Sequence, residues 1–448
     1  MSCRCLSRLW NLSLLRYAAG FCLLFCVLEC PLTAEEGDAA PVTVPIEVED
    51  PSAQHPGLVV SSDTFELLTA DRIQTSLFAH RRGGLRRRAL GNWGGSRASE
   101  SAVHAALRWF SRHQDENGKW GLRSYPDRCS DLGPRCEPGE AHPDAGGDIT
   151  VSAQALLCFL GAAYDHHIPS PFRRVVKAGL DWLLDQQQED GRFAEDNVRV
   201  DAQATLALVE AFAVSQDPDL REPAQRGVTH LISQQHRVPE RALAWGLRQG
   251  SAMDTLTTAW VMQALYLAQM VDLDVGNGIV GGQHYAQAVW QGGREDFLLR
   301  WNPSEETQDA TFHLAAGAHL VTWTWRDQEH AMHDPMREQL RFRALQNAHI
   351  DHQVRQWPMN VENLLWTTQA LFQLSARQTD NSLWQEWNAA FRDVLVAGQR
   401  RDDGCFDGSW DPQETRFDGH QLGRLLVTAY ATQSLQTYYR YVPIRAPR

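Results

Sequence analysis

The feature that most constrains this chain is a helical unit that keeps returning. Between Phe172 and Phe212 a first segment sets Val175, Val176, Leu180, Leu183 and Leu184 at helical spacing, giving a helix with one apolar face. Asp190–Gly191 punctuates it, and Gly191 can take the left-handed backbone that stops a helix. Asp201 then sits where an N-cap belongs, ahead of a second run, Ala202 to Ala213, that is apolar almost all round and belongs in a core. The pair recurs as Ala102–Gln114 before Asp148, as Ala224–Gln235 before Asp254, and as Ser382–Gln399 before a run from Leu422 to Tyr439. Buried runs also open at Asp309 and Asn360, so these starts return about every 53 residues. A one-faced helix followed by a buried one, repeated at a fixed period, predicts a two-layer helical repeat.

The punctuation after the first one-faced helix is Gln114–Gly118–Trp120, with weaker copies at Gln187–Gly191–Phe193 and Gln399–Gly404–Phe406. This pattern resembles the QW-type repeat of squalene and oxidosqualene cyclases, which protein prenyltransferase β subunits share. The chain is similar to bacterial prenyltransferase and squalene-oxidase repeat proteins over residues 96–443. The resemblance implies an all-α fold, an (α/α)6 toroid with six inner helices (near 148, 201, 254, 309, 360 and 422) ringed by six outer ones (near 102, 172, 224, 283, 334 and 382). It implies far less about activity, because one fold hosts many functions.

Residues 1–34 read as a signal peptide or N-terminal anchor. Arg4, Arg8 and Arg16 precede an apolar run, Tyr17–Leu28, too short for a typical membrane span. Cleaved signal, uncleaved anchor and lipoprotein readings all place the body outside the cytoplasm: periplasmic, secreted or membrane-anchored. Residues 35–95 read as an acidic and then basic linker, largely irregular, and 444–448 as a tail. The arginines of RRGGLRRRAL (81–90) suit either contact with anionic lipid head groups or packing on the acidic body. A net charge of −13 argues against nucleic acid as a partner. The body holds only Cys129, Cys136, Cys158 and Cys405 of nine cysteines. Cys129 and Cys136 bracket a Gly/Pro loop, and in an oxidising compartment a disulfide between them is the leading reading.

Asp148, Asp201, Asp254, Asp309 and Asn360 each begin an inner helix, so in a toroid they gather at one end of the ring, where the helix dipoles are positive. Repeated N-caps explain most of this set by stability alone. The functional reading makes Asp254 or Asp201 an acid facing the centre, with Asp148, Asp309, Trp260, Trp323 and Trp366 lining a ligand site. The Asp-x-Asp-Asp acid run of class II terpene cyclases is absent, as is an Asp-Asp-x-x-Asp run. Asp403–Gly404–Cys405, with His420 near it, matches the letters of the prenyltransferase zinc set but falls in a loop of the last repeat, so no metal or other cofactor is expected. Two classes of function stay open. One is a toroid that binds an apolar, isoprenoid-like molecule or an envelope protein. The other is an enzyme, either terpenoid-cyclase-like or a sugar-processing (α/α)6 protein, which needs two acids converging with one pKa raised.

Overall fold

A computed structural model describes residues 78–129, 133–136, 147–238, 241–242, 244–251, 253–291, 361–375, 381–402, 404–412 and 419–442. Contacts divide the chain into Met1–Val59 and Val60–Arg448, and everything described belongs to the second unit. The expected fourth inner helix with Asp309 and Trp323, the fifth outer helix near 334, and Asp403 lie outside the described residues.

The fold is an all-α (α/α) toroid. After a helix α1 (Gly83–Trp93), outer helices α2 (Arg97–Arg112), α4 (Arg173–Gln186), α6 (Pro218–Ser233), α8 (Gly278–Gln291) and α10 (Ser382–Gly398) are described. They alternate with inner helices α3 (Gly147–Gly161), α5 (Val198–Ser215), α7 (Thr255–Met270), α9 (Val361–Ser375) and α11 (Gly419–Leu435), and a short α12 (Thr437–Arg440) follows. The helix α1 falls within the 35–95 stretch expected to be largely irregular, of which residues 35–77 lie outside the described residues. A two-stranded hairpin, Arg237–Val238 with Arg241–Ala242, interrupts the helical pattern.

Each outer helix has one buried stripe. In α2 it is Ala102, Val103, Ala106, Leu107 and Phe110, and the helix starts on a Ser96–Ser99 capping box. Inner helices are buried nearly all round, as α5 and α7 show. Neighbouring inner helices pack as α7–α5–α3–α11–α9, so the last inner helix lies against the first and the ring closes there.

The punctuation explains how the repeats lock. Gln114 Nε2 donates to Gly118 O in its own loop and to Val175 O of the next outer helix (2.7 and 2.9 Å). Gln187 repeats this with Gly191 O and Pro223 O, and Gln235 reaches Gly278 O. Gln399 does it with Gly408 O and with Ala102 O on α2, tying the last outer helix to the first. The loop glycine must be bare: Gly118, Gly191 and Gly408 have φ of 97°, 90° and 98°, and a Cβ there would strike a carbonyl of the neighbouring outer helix. Trp120, Trp245 and Trp410 each donate their indole N–H to a carbonyl near the end of an outer helix, Phe110 O, Leu231 O and Leu395 O. Each also donates its backbone N–H to a hydroxyl of the inner helix, Ser152, Thr258 and Thr428. The last unit is therefore Gln399–Gly408–Trp410, which corrects the reading Gln399–Gly404–Phe406. Its loop is longer and carries Cys405.

Candidate functional site at the centre of the ring

Of these starts, Asp148, Asp201 and Asp254 are described, Asp309 and Asn360 lie outside the described residues, and the three do not behave alike. Asp254 is a true N-cap of α7, accepting from Leu256 N and Thr257 N (3.2 and 3.1 Å) and from the Thr257 hydroxyl. Asp201 is not a cap. Asn197 caps α5, and Asp201 in the first turn accepts from Phe193 N and Ala194 N (2.7 and 2.9 Å), with His230 of α6 3.3 Å away. Asp148 likewise accepts from Leu122 N at 2.8 Å and pairs with Lys119. These two carboxylates hold the loops between outer and inner helices and do not join a central site. These bonds by themselves give Asp201 no catalytic role and Asp148 no ligand-binding one.

Asp254, Trp260 and Trp366 do come together, with partners the sequence reading missed. Arg199, in the first turn of α5, donates to Asp254 Oδ2 at 2.8 Å and to Thr257 Oγ1 at 3.2 Å. Trp260 on α7 meets Trp366 on α9 edge to face, ring centroids 4.6 Å apart. Trp260 also lies near-parallel to Tyr430 on α11, centroids 6.4 Å apart. Glu362 stands in the first turn of α9, 8% exposed, and feels Arg199, Trp260, Trp366 and Asp254. Helices α7 and α11 are not neighbours in the ring, so only its centre brings their side chains together. The site sits at the N-terminal ends of α5, α7 and α9, the end where helix dipoles are positive.

Burial pushes the Glu362 carboxyl up to about 7, and the nearby Asp254 carboxylate adds to the rise. Arg199 and the indole N–H groups of Trp260 and Trp366 pull the other way. Trp260 Nε1 faces the carboxyl without closing a hydrogen bond of normal geometry. Burial lowers the Arg199 guanidinium, but Asp254 and Glu362 outweigh it and its pKa lies above the ordinary value. The Arg199 side chain keeps 29% exposure, so solvent reaches the rim of the cluster while Asp254 beneath it is nearly covered. Burial holds Tyr430 well above an ordinary phenol, with Glu362 adding to the effect.

The opposite end of the ring is filled by ions. Glu210, near the C-terminus of α5, accepts from Arg81 and Arg440 at 3.0 Å each and from the Tyr441 hydroxyl. Arg81 and Arg440 also donate to Leu160 O and Leu157 O near the C-terminal end of α3, where the helix dipole is negative. Burial raises the Glu210 carboxyl, yet Arg440 and Arg81 more than reverse it and hold the group below the usual range. The basic stretch thus packs on the toroid at Arg81, at Arg82 with Asp165, and at Arg86 with Glu100.

Cys129 and Cys136 are not joined to each other; both are free thiols, which corrects the disulfide. Cys405 lies beside them, with His113 completing the group. The side chain of His420 lies outside the described residues.

No protein-family model matches the chain, and no curated protein matches it. Solved structures similar to it include an inactive α-1,6-mannanase variant of Salegentibacter in complex with α-1,6-mannotetrose, with a TM-score of 0.49 and 9% identity, over 77% of this chain and 99% of that one. A type II terpene cyclase variant from Scytonema has a TM-score of 0.47 and 12% identity, over 77% and 96%. Cellobiose 2-epimerase from Spirochaeta thermophila has a TM-score of 0.46 and 13% identity, over 80% and 99%. All three are (α/α)6 toroid proteins. At such identities the likeness concerns the fold alone.

Proposed function

We propose that the centre of the ring is an acid–base site for a neutral polyhydroxylated molecule of the saccharide class. The observation that carries this is Glu362, a buried carboxyl set among two indoles and beside the Arg199–Asp254 pair. A carboxyl that titrates near 7 is about half protonated at neutral pH and can give that proton to a hydroxyl or glycosidic oxygen, while Asp254 pairs with Arg199 at 2.8 Å. The sugar-processing alternative requires two acids near one another with one pKa raised, and Glu362 is the raised one. Indole faces suit the C–H faces of a sugar ring.

An isoprenoid occupant fits less well. Protonating an alkene needs a strong acid, and a raised pKa makes Glu362 a weak one. The inner helices also bury Gln154, Gln203, Gln263, Gln369 and Gln433, amides that a hydrocarbon would leave desolvated. A binding-only version of the same site is favoured by one fact: the Asp254 oxygens already accept from Leu256, Thr257 and Arg199, which limits their use as a base. Location outside the cytoplasm, and membrane contact through the N-terminal segment, remain part of this proposal and are tested by sequencing the mature N-terminus.

The test incubates the full chain with α- and β-linked mannose and glucose oligosaccharides and reads products by mass spectrometry, with binding read by calorimetry. Turnover lost in Glu362→Gln, with binding retained, supports the enzyme. Binding without turnover in both proteins supports the receptor. Neither binding nor turnover across the panel overturns the saccharide reading.

A further inference from the structure

A second group of chemically active side chains lies away from the ring centre and does not rest on the reading above. His113 follows the last turn of α2, Cys129 and Cys136 flank the next loop, and Cys405 comes from the long loop of the last repeat. Their ligand atoms all lie within 4.8 Å of one another. His113 Nε2 is 3.1 Å from Cys405 Sγ, 3.5 Å from Cys129 Sγ and 3.7 Å from Cys136 Sγ. Four ligands around zinc, with Zn–S near 2.3 Å and Zn–N near 2.0 Å, stand about 3.3–3.8 Å apart in a tetrahedron. The three N–S separations lie around the ~3.5 Å that such a tetrahedron sets between a nitrogen and a sulfur ligand, and the sulfurs stand close enough to close on one ion.

The surroundings fix the ligands as a metal site needs. His113 Nδ1 bonds Trp109 O at 2.8 Å, which selects the tautomer that offers Nε2 inward. The ring stacks on Trp109 with centroids 4.4 Å apart and meets Tyr125 edge-on. Cys136 N donates to Cys129 Sγ at 3.2 Å, a bond that steadies a thiolate. Trp109 Nε1 donates to Cys405 O at 3.0 Å and so holds the distant loop in place. Three thiolates on a divalent ion carry one net negative charge, and the fully buried Arg424, itself paired with Asp411 at 2.7 Å, supplies a nearby cation.

We propose that His113, Cys129, Cys136 and Cys405 form a Cys3His site for a zinc-class divalent ion. Four protein ligands leave no open position, so the ion is structural and activates no water. It joins the loop of the last repeat to the first outer helix across the seam where the ring closes, two segments about 290 residues apart in the chain. Each thiol loses its proton to solvent on binding, so loading releases acid.

The test measures metal in the full chain, purified without chelator, by elemental mass spectrometry. One zinc per chain is expected, falling by about tenfold or more in Cys405→Ser and in His113→Ala but unchanged in Cys158→Ser, whose thiol lies outside the cluster. Should the ligand variants fail to fold, cobalt exchanged into the natural chain must show the intense visible bands of tetrahedral thiolate coordination. Absence of zinc together with a Cys129–Cys136 disulfide in peptide mapping overturns the site, and so do octahedral cobalt bands.

Discussion

Gln399 donates one amide to two carbonyls, Gly408 O in its own loop and Ala102 O on the first outer helix, both at 2.9 Å. The side chain is buried, and the same bond joins α2 to α4 through Gln114 and α4 to α6 through Gln187. One device both propagates the repeat and closes it.

Replacing Gln399 with Ala removes both of these bonds at the closing seam. The variant is expected to lose about 1–3 kcal/mol of stability, measured by urea unfolding at fixed pH. An unchanged midpoint would mean the seam is held by packing alone.

Arg440 and Arg81 share one buried carboxylate, so the loss of one partner is felt as an uncompensated charge. Arg440→Met removes a guanidinium that also serves Leu157 O, and the expected cost is about 3–5 kcal/mol. Arg82→Met, whose partner Asp165 faces a half-exposed guanidinium, is expected to cost about 1 kcal/mol or less. Thermal unfolding of the two variants ranks them.

Glu362 gives the fold a pH dependence whose sign is fixed. Its carboxyl titrates near 7 in the folded chain and at about 4.5 when unfolded, so the folded state binds the extra proton between those values. Stability attributable to this group therefore falls as pH rises from about 4.5 to about 7 and is flat above, with a total on the order of 3 kcal/mol. Glu362→Gln removes that slope. Arg199→Met, which deletes a charge that lowers the Glu362 pKa, moves its upper end to higher pH. Unfolding free energies taken across this range in the three proteins check both.

Asp254 is a cap and an ion-pair partner at once. Asp254→Ala is expected to cost about 1–2 kcal/mol, the cap dominating because solvent at the half-buried Arg199 weakens the ion pair. Asp254→Asn keeps an oxygen for Leu256 N or Thr257 N and is expected to cost about half as much. Equal losses in the two variants would put the stability in the charge.

The helical repeat and its inner and outer layers were legible because buried periodicity and Gln/Gly/Trp punctuation are local signals. The last unit was misread at Gly404 because an identical residue lies nearer in the chain than Gly408, and the Gln399 bond to Gly408 O and the collision a Cβ would make there tell them apart. Asp201 looked like a cap because capping and loop-holding both want a carboxylate near a helix start. Arg199, Glu362 and Glu210 were passed over, although each is a charged residue within an otherwise apolar inner helix, which is a readable signal. The grouping of His113 with Cys405 was not readable, since it depends on how the ring closes.

The claim at the centre of this account is that a polar, protonated site occupies the middle of the ring. Its most direct test is mass spectrometry of aqueous and organic extracts of the protein purified from its native source, alongside Trp260→Ala. The account predicts a hexose-containing molecule in the aqueous extract that is lost from the variant. A stoichiometric isoprenoid in the organic extract, lost in the same variant, would contradict it.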